Sequence, residues 1–192
     1  MRNKLPFLIL TVVLLNCATD KTISQLTDAE QDILNQYKTL EKISQLTITD
    51  NNEPGDNLYL CLTFIDKETK VPLSNQNVLF YHTNSEGNYE PEIATDETSA
   101  RLKGKAKTTK QGRIFIETIL PGNYGSGGDN RHVHTTVIGA KPEAYDIHFK
   151  QFTGYMGANF VESSDQHFLA ELKRSKSGYL VSFLTIEVKN PQ

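Results

Sequence analysis

The sequence predicts an all-β chain, an antiparallel β-sandwich behind a short helical arm. Three observations predict it. From residue 58 onward, short apolar runs alternate with polar residues at a period of two, as in a strand with one buried face. Gly, Pro and Asn turns separate these runs, and no strong helical pattern interrupts them. The chain has 192 residues and 38% hydrophobic content, enough for one cored domain with appendages and too little for a polytopic membrane protein.

The N-terminal end is different in kind. Arg2 and Lys4 precede an apolar run of eleven residues, 5–15. A membrane-spanning helix needs about 20 such residues, so the run fits the core of a secretory signal instead. Cys17 follows Leu14, Leu15 and Asn16, a pattern similar to a bacterial lipobox. Residues 1–16 are therefore expected to be a signal peptide and Cys17 the lipidated anchor. An ordinary signal peptide cut nearby is the alternative. The expected location is the cell envelope, on a membrane-anchored lipoprotein facing the periplasm or the cell surface. Loss of Arg2 and Lys4 takes the net charge from −3 to −5, which argues against nucleic acid as a partner. With Cys17 lipidated, Cys61 has no disulfide partner. Its place in an apolar strand reads as a small buried residue.

Residues 17–57 form the expected tether and arm. Thr27 and Glu30 make a capping-box pattern. Ile33, Leu34, Tyr37, Leu40 and Ile43 follow at helical spacing, which predicts a helix over 28–44. This arm is also the candidate contact for a homodimer. Residues 51–56 form a Pro/Gly loop. The domain proper, 58–192, opens with strands over 58–65 and 77–81, joined through a turn and Pro72. Strands over 103–108 and 113–119 read as a hairpin around Gln111 and Gly112. A strand over 131–138 follows a glycine-rich loop, and 146–153 and 179–188 complete the set.

The chemistry-bearing residues gather around the middle of the chain. His132 and His134 are two apart on a predicted strand, so both imidazoles reach one point, as two ligands of one metal must. Tyr124 ends a Pro121-Gly122-Asn123-Tyr124 turn, and Tyr89 ends the turn Glu86-Gly87-Asn88-Tyr89. Two phenols and two imidazoles make an unusual donor set. Phenolate is a hard anionic oxygen donor, and with imidazole it suits Fe(3+) better than zinc or copper. Each of these residues alone reads more simply as a surface strand or a turn cap; their coincidence points to the metal.

Three blocks carry a resemblance: 60–89 with its Gly-x-Tyr, 104–124 ending in Pro-Gly-x-Tyr, and 131–135 with His-x-His. Together they resemble the intradiol ring-cleavage dioxygenases, non-haem ferric enzymes that use O2 to open catechols between the two hydroxyls. The resemblance implies a β-sandwich and a ferric ion held by Tyr89, Tyr124, His132 and His134. It implies Tyr124 as the displaceable axial ligand and Tyr89 as the retained one. It implies catalytic help from a Gln downstream of the second His, for which Gln151, seventeen residues after His134, is the candidate. The family's Arg three residues before the first His falls here on Asp129. Arg131 is the remaining candidate for a catalytic positive charge, although on a strand it faces away from the His pair.

The expected partners are thus a catecholic small molecule, O2 and a membrane reached through Cys17. The absence of Trp and the displaced Arg leave open a second reading. In it, the chain is a non-catalytic cell-surface binding module, or a ferric or catecholate-binding protein, with a vestigial site. His82, His148 and His167 are expected to be structural or surface residues.

Overall fold

A computed structural model describes residues 22–50, 52–125, 128–154 and 157–191. The expected signal segment at 1–16 and the lipidation site Cys17 lie outside the described residues. The elements in chain order are β1 (Ser24–Gln25), α1 (Asp28–Lys38), β2 (Gln45–Thr47), β3 (Asn57–Asp66), β4 (Asn77–His82), β5 (Leu102–Lys107), β6 (Arg113–Ile119), β7 (His132–Val137), β8 (Ala144–Phe149), α2 (Gly157–Glu162), β9 (His167–Ala170), β10 (Lys173–Arg174) and β11 (Leu180–Val188). Short 3-10 turns lie at Lys42–Ser44, Glu97–Ser99 and Lys150–Phe152.

The strands form two sheets, in the orders β1-β10-β11-β3-β6-β2 and β5-β4-β7-β8-β9. Their facing sides share one core. Leu58, Leu60, Leu62, Phe64, Ile114, Ile116 and Ile186 come from the first sheet. Val78, Phe80, Val133, Val137, Tyr145, Ile147 and Phe149 come from the second. The all-β sandwich is as the alternation predicts. The sheets are mixed rather than wholly antiparallel: β11–β3, β1–β10, β2–β6 and β8–β9 run parallel.

The expected hairpin of 103–108 with 113–119 does not form. The turn is present, but β5 pairs with β4 in one sheet and β6 with β3 in the other. Ala106 and Ile114 then bury in the same core from opposite sides. Local alternation cannot distinguish such an arch from a hairpin, because both need a tight turn between two strands.

The arm folds onto the first sheet. Thr27 caps α1 with the reciprocal Glu30 contact, as the capping box predicts. The helix ends at Lys38, short of the expected 44, and the chain turns through Lys42–Ser44 into β2. Leu34 and Tyr37 pack on Tyr59, Cys61, Phe115 and Val181 on the sheet's outer face. The Tyr37 hydroxyl lies 2.7 Å from Thr63 Oγ1. Ile33 and Ile43, also on the expected stripe, remain exposed. This cover explains why β3 is apolar on both faces, and why Cys61 is buried with its thiol pKa pushed up by burial. β1 and β2 form the opposite edges of this sheet.

Candidate metal centre

The core-facing residues of β7 are Val133, Thr135 and Val137, so His132 and His134 stand on the outer face of the second sheet. Strand register extends this face. Tyr81 on β4 pairs with His134 on β7, His134 with Asp146 on β8, and Asp146 with His167 on β9. One step along, His132 pairs with His148.

Two turns close over this face. Each carries the tripeptide Gly-Asn-Tyr, ending in Tyr89 and Tyr124. The first is built on Asn84, whose side-chain oxygen accepts from the amides of Glu86 and Asn88, both at 3.0 Å. Gly87 takes φ +90°, open to glycine at little cost. The two turns are held backbone to backbone: Gly122 N–H donates to Asn84 O at 2.8 Å. A Cβ on Gly122 would lie 2.3 Å from Gly87 N, and one on Gly87 would lie 2.1 Å from Asn123 O. The second turn returns toward β7 through Asn130, whose N–H donates to Asn123 Oδ1 at 2.6 Å.

This construction brings the four expected residues together. Tyr89 Oη lies 2.7 Å from His134 Nε2, and His132 Nε2 lies 3.1 Å from the same atom. The Tyr124 ring is 5.2 Å from that of Tyr89 and 6.0 Å from that of His132. The Tyr124 hydroxyl donates to Glu97 Oε1 at 2.9 Å. Exposure separates the two phenols, with Tyr89 at 8% and Tyr124 at 39%.

The His134 tautomer follows from its partners. Asp146 Oδ1, 2.7 Å away, accepts from Nδ1–H. Nε2 is then the acceptor, approached by the Tyr89 hydroxyl and by His132 Nε2. Two donor atoms thus crowd one lone pair. Atoms bound at about 2 Å to one ion and about 90° apart sit about 3 Å from each other, so these spacings fit a metal cage. The carboxylate on the far ring nitrogen is the usual support of a metal-bound histidine. The set fits a hard trivalent ion, which would displace the Tyr89 and His132 protons.

Burial, then the neighbouring His134, lowers the His132 pKa to about 4, which keeps the ring neutral and able to ligate. Burial, then Glu97 and Tyr124, raises the Tyr89 phenol, so its phenolate needs a cation beside it. For Asp146, burial opposes ionisation, but the hydrogen bond from His134 holds its carboxyl below the usual range. Tyr81 stacks on His134 at 4.5 Å and 19°.

Two expected site residues are placed elsewhere. Gln151 is buried, with its amide clasping Leu172: Nε2 donates to Leu172 O and Oε1 accepts from Leu172 N, both at 3.1 Å. That task is structural rather than the catalytic one expected. Arg131 sits with its guanidinium 4.3 Å over the Phe152 ring and Nε 3.9 Å from Asp129, so its charge is directed away from the cluster, against the catalytic expectation. Of the three histidines expected to be structural or on the surface, only His82 is plainly so. It is buried between Thr83 O and Thr118 Oγ1, each at 2.7 Å. The His148 ring is 5.2 Å from that of His132, and the His167 ring is 5.1 Å from that of His148. The repeat of the alternation as Asp146-x-His148 was the available signal for this second row.

A family model described as "Dioxygenase" matches residues 35–187, most of the chain. The chain belongs to the intradiol ring-cleavage dioxygenase family. Solved structures share its fold at low identity. The dioxygenase domain of a dioxygenase–carbohydrate-binding fusion from Streptomyces sp. SirexAA-E aligns with TM-score 0.54 at 18% identity, over 78% of this chain and 92% of that one. The intradiol ring-cleavage dioxygenase from Tetranychus urticae gives 0.53 at 18%, over 75% and 85%. Catechol 1,2-dioxygenase from Pseudomonas arvilla C-1 gives 0.58 at 17%, over 78% of this chain, which spans 57% of that enzyme. No curated protein matches the chain in sequence. The matched region begins within the last turn of α1.

Proposed function

We propose that this chain is a non-haem ferric dioxygenase that opens a catechol-type ring between its two hydroxyls, both atoms of O2 entering the dicarboxylate product. The observation that carries the reading is the convergence of Tyr89 Oη, His132 Nε2 and His134 Nε2 with the Tyr124 ring alongside. A ferric ion bound there would supply Lewis-acid activation and a template for the substrate oxygens.

The chain's own residues divide the remaining work. Tyr89, His132 and His134 would hold the ion, the first two from buried positions that limit water. Asp146 fixes the His134 ring and tautomer through Nδ1. Tyr124 would be the residue that gives way to substrate; its exposure and its hydrogen bond to Glu97 support that role. On giving way, the Tyr124 phenolate would take up a substrate hydroxyl proton, and Glu97 Oε1, which accepts from the resulting phenol, would favour that protonated form.

The deciding measurement is the visible spectrum of the ferric-loaded protein, followed by catechol and an oxygen electrode. Tyrosinate-to-iron charge transfer should colour the protein, and Tyr89→Phe should bleach it. A colourless protein that does not retain iron would overturn the reading. The stacking of Arg131 on Phe152 favours one rival, ferric or catecholate capture without turnover; it predicts the colour with no oxygen uptake. Anchoring in the cell envelope through Cys17 belongs to the same proposal. Cys17→Ser should move the protein from the membrane fraction to the soluble one.

A further inference from the structure

The row across the outer face of the second sheet is longer than the candidate iron cage needs. Beyond His132 and His134 it continues through Asp146, His148 and His167, from the adjacent parallel strands β8 and β9. One ligand atom of each lies within 4.8 Å of the others. Asp146 Oδ1 is engaged by His134, but Oδ2 is directed at His167 Nε2, 3.8 Å away. That spacing is too long for a hydrogen bond. Two ligands of one tetrahedral ion lie about 3.3 Å apart, so small side-chain rotations close the cage. His148 is 3% exposed, and its Nε2 is buried without a hydrogen-bond partner. Leaving such a buried atom unsatisfied is costly, so an atom of this kind calls for an occupant.

We propose that Asp146, His148 and His167 bind a divalent cation of the zinc class, at a second site beside the Tyr/His cage. Two imidazoles and one carboxylate select borderline ions such as Zn2+ or Co2+ over Mg2+ and Ca2+, which prefer all-oxygen shells. Without a phenol, the set is also a poor match for Fe(3+). The three ligands leave a coordination position for water or a small anion. Asp146 is the shared element: one oxygen orients His134 in the first cage, and the other ligates the second ion. Loading the second site therefore draws charge from the His134 support and shifts the charge-transfer band of the first.

The test uses the chain loaded with one equivalent of ferric iron, then incubated with Co2+, desalted and analysed for both metals. The wild type should retain one cobalt per chain beyond the iron. His148→Ala and His167→Ala should each weaken cobalt binding by at least about tenfold and keep the ferric colour. Thermal midpoints of the metal-free variants establish that they fold. Conservative His148→Gln, which keeps volume and polarity, should also lose the cobalt. A folded wild type that retains no cobalt, or cobalt retention unchanged in both His→Ala variants, overturns the proposal. The outcome is separable from the iron reading. A colourless chain that holds cobalt through His148 and His167 sinks the first cage alone, and a coloured chain without cobalt sinks the second alone.

Discussion

Gly122→Ala tests the claim that two glycine turns assemble the cage. The added Cβ would lie 2.3 Å from Gly87 N, 2.6 Å from Ser85 O and 2.7 Å from Asn84 O. All three are backbone atoms of the Tyr89 turn, so no side chain can swing aside. Overpacking of this kind costs about 1–3 kcal/mol, and a contact with rigid backbone belongs at the upper end. Separating the turns also strains the Gly122 N–H to Asn84 O bond, worth about 1 kcal/mol net. A loss of about 3 kcal/mol lowers the thermal midpoint by roughly 6–12 °C in a chain of this size. Function should suffer more than stability, because the separation moves Tyr124 away from Tyr89. Gly125→Ala is the control. It meets nothing within 4 Å and carries only the strain of φ +80°, about 1–2 kcal/mol. Ferric titration followed by the charge-transfer band should show the colour lost in Gly122→Ala and kept in Gly125→Ala. Equal colour and equal midpoints in the two variants would refute the stapled-turn argument.

Three further predictions concern separate parts of the molecule. Leu34→Ala should destabilise the chain by about 2–5 kcal/mol in urea, because Leu34 is fully buried between α1 and the first sheet; a loss under 1 kcal/mol would mean the arm is not docked. Burial lowers the His82 pKa from 6.5 to about 4. Its neutral form is favoured in the fold, so its contribution is full above the unfolded value and is lost as pH falls toward 4. Urea unfolding at pH 7.5 and pH 5 should show about 2 kcal/mol less pH dependence in His82→Gln than in the wild type; an unchanged dependence would contradict a buried neutral His82. The Glu97 hydrogen bond, then its charge, raises the Tyr124 pKa. Glu97→Gln should therefore shift the midpoint of ferric colour development to lower pH, and an unmoved or raised midpoint would remove Glu97 from the site.

The legibility of this fold in its sequence follows period and length. β3, β4, β6 and β11 each carry six or more residues of alternating or continuous apolar pattern, and all four were readable. β1, β2 and β10 have two or three residues, too few to display any period; β2 and β10 line the longer β6 and β11, and β1 adds to β10. The five strands β3, β4, β5, β6 and β11 also show what alternation omits. It gives the face of a side chain but not the neighbouring strand, so the arch between β5 and β6 read as a hairpin.

The site divides along the same line. His132 and His134 share a strand, and Tyr89 and Tyr124 each end a short Gly-Asn-Tyr turn, so every piece of the cage is local in sequence. Asp146, His148 and His167 join it only through register. Asp146 reaches His134 because β8 lies antiparallel to β7, and His167 reaches Asp146 because β9 lies parallel to β8. A shift of one residue in either pairing would turn these side chains to the core face.

The placement of the cage outside the sandwich core has a physical reason. A core between two sheets is filled by interdigitated apolar side chains at near-crystal density, and it has no room for an ion, a ring and O2. An outer sheet face offers flat, register-fixed positions but is wet unless covered. On the first sheet the cover is α1, whose Leu34 and Tyr37 seal an apolar layer. On the second sheet the covering turns are polar and carry the phenols themselves. They bury Tyr89 and His132 and leave Tyr124 exposed, hydrogen-bonded to Glu97. One face is thus closed for stability, and the other is closed on one side of the cage and open on the other. Under the proposed function, that asymmetry would let the site retain an ion while admitting a substrate beside the exposed Tyr124.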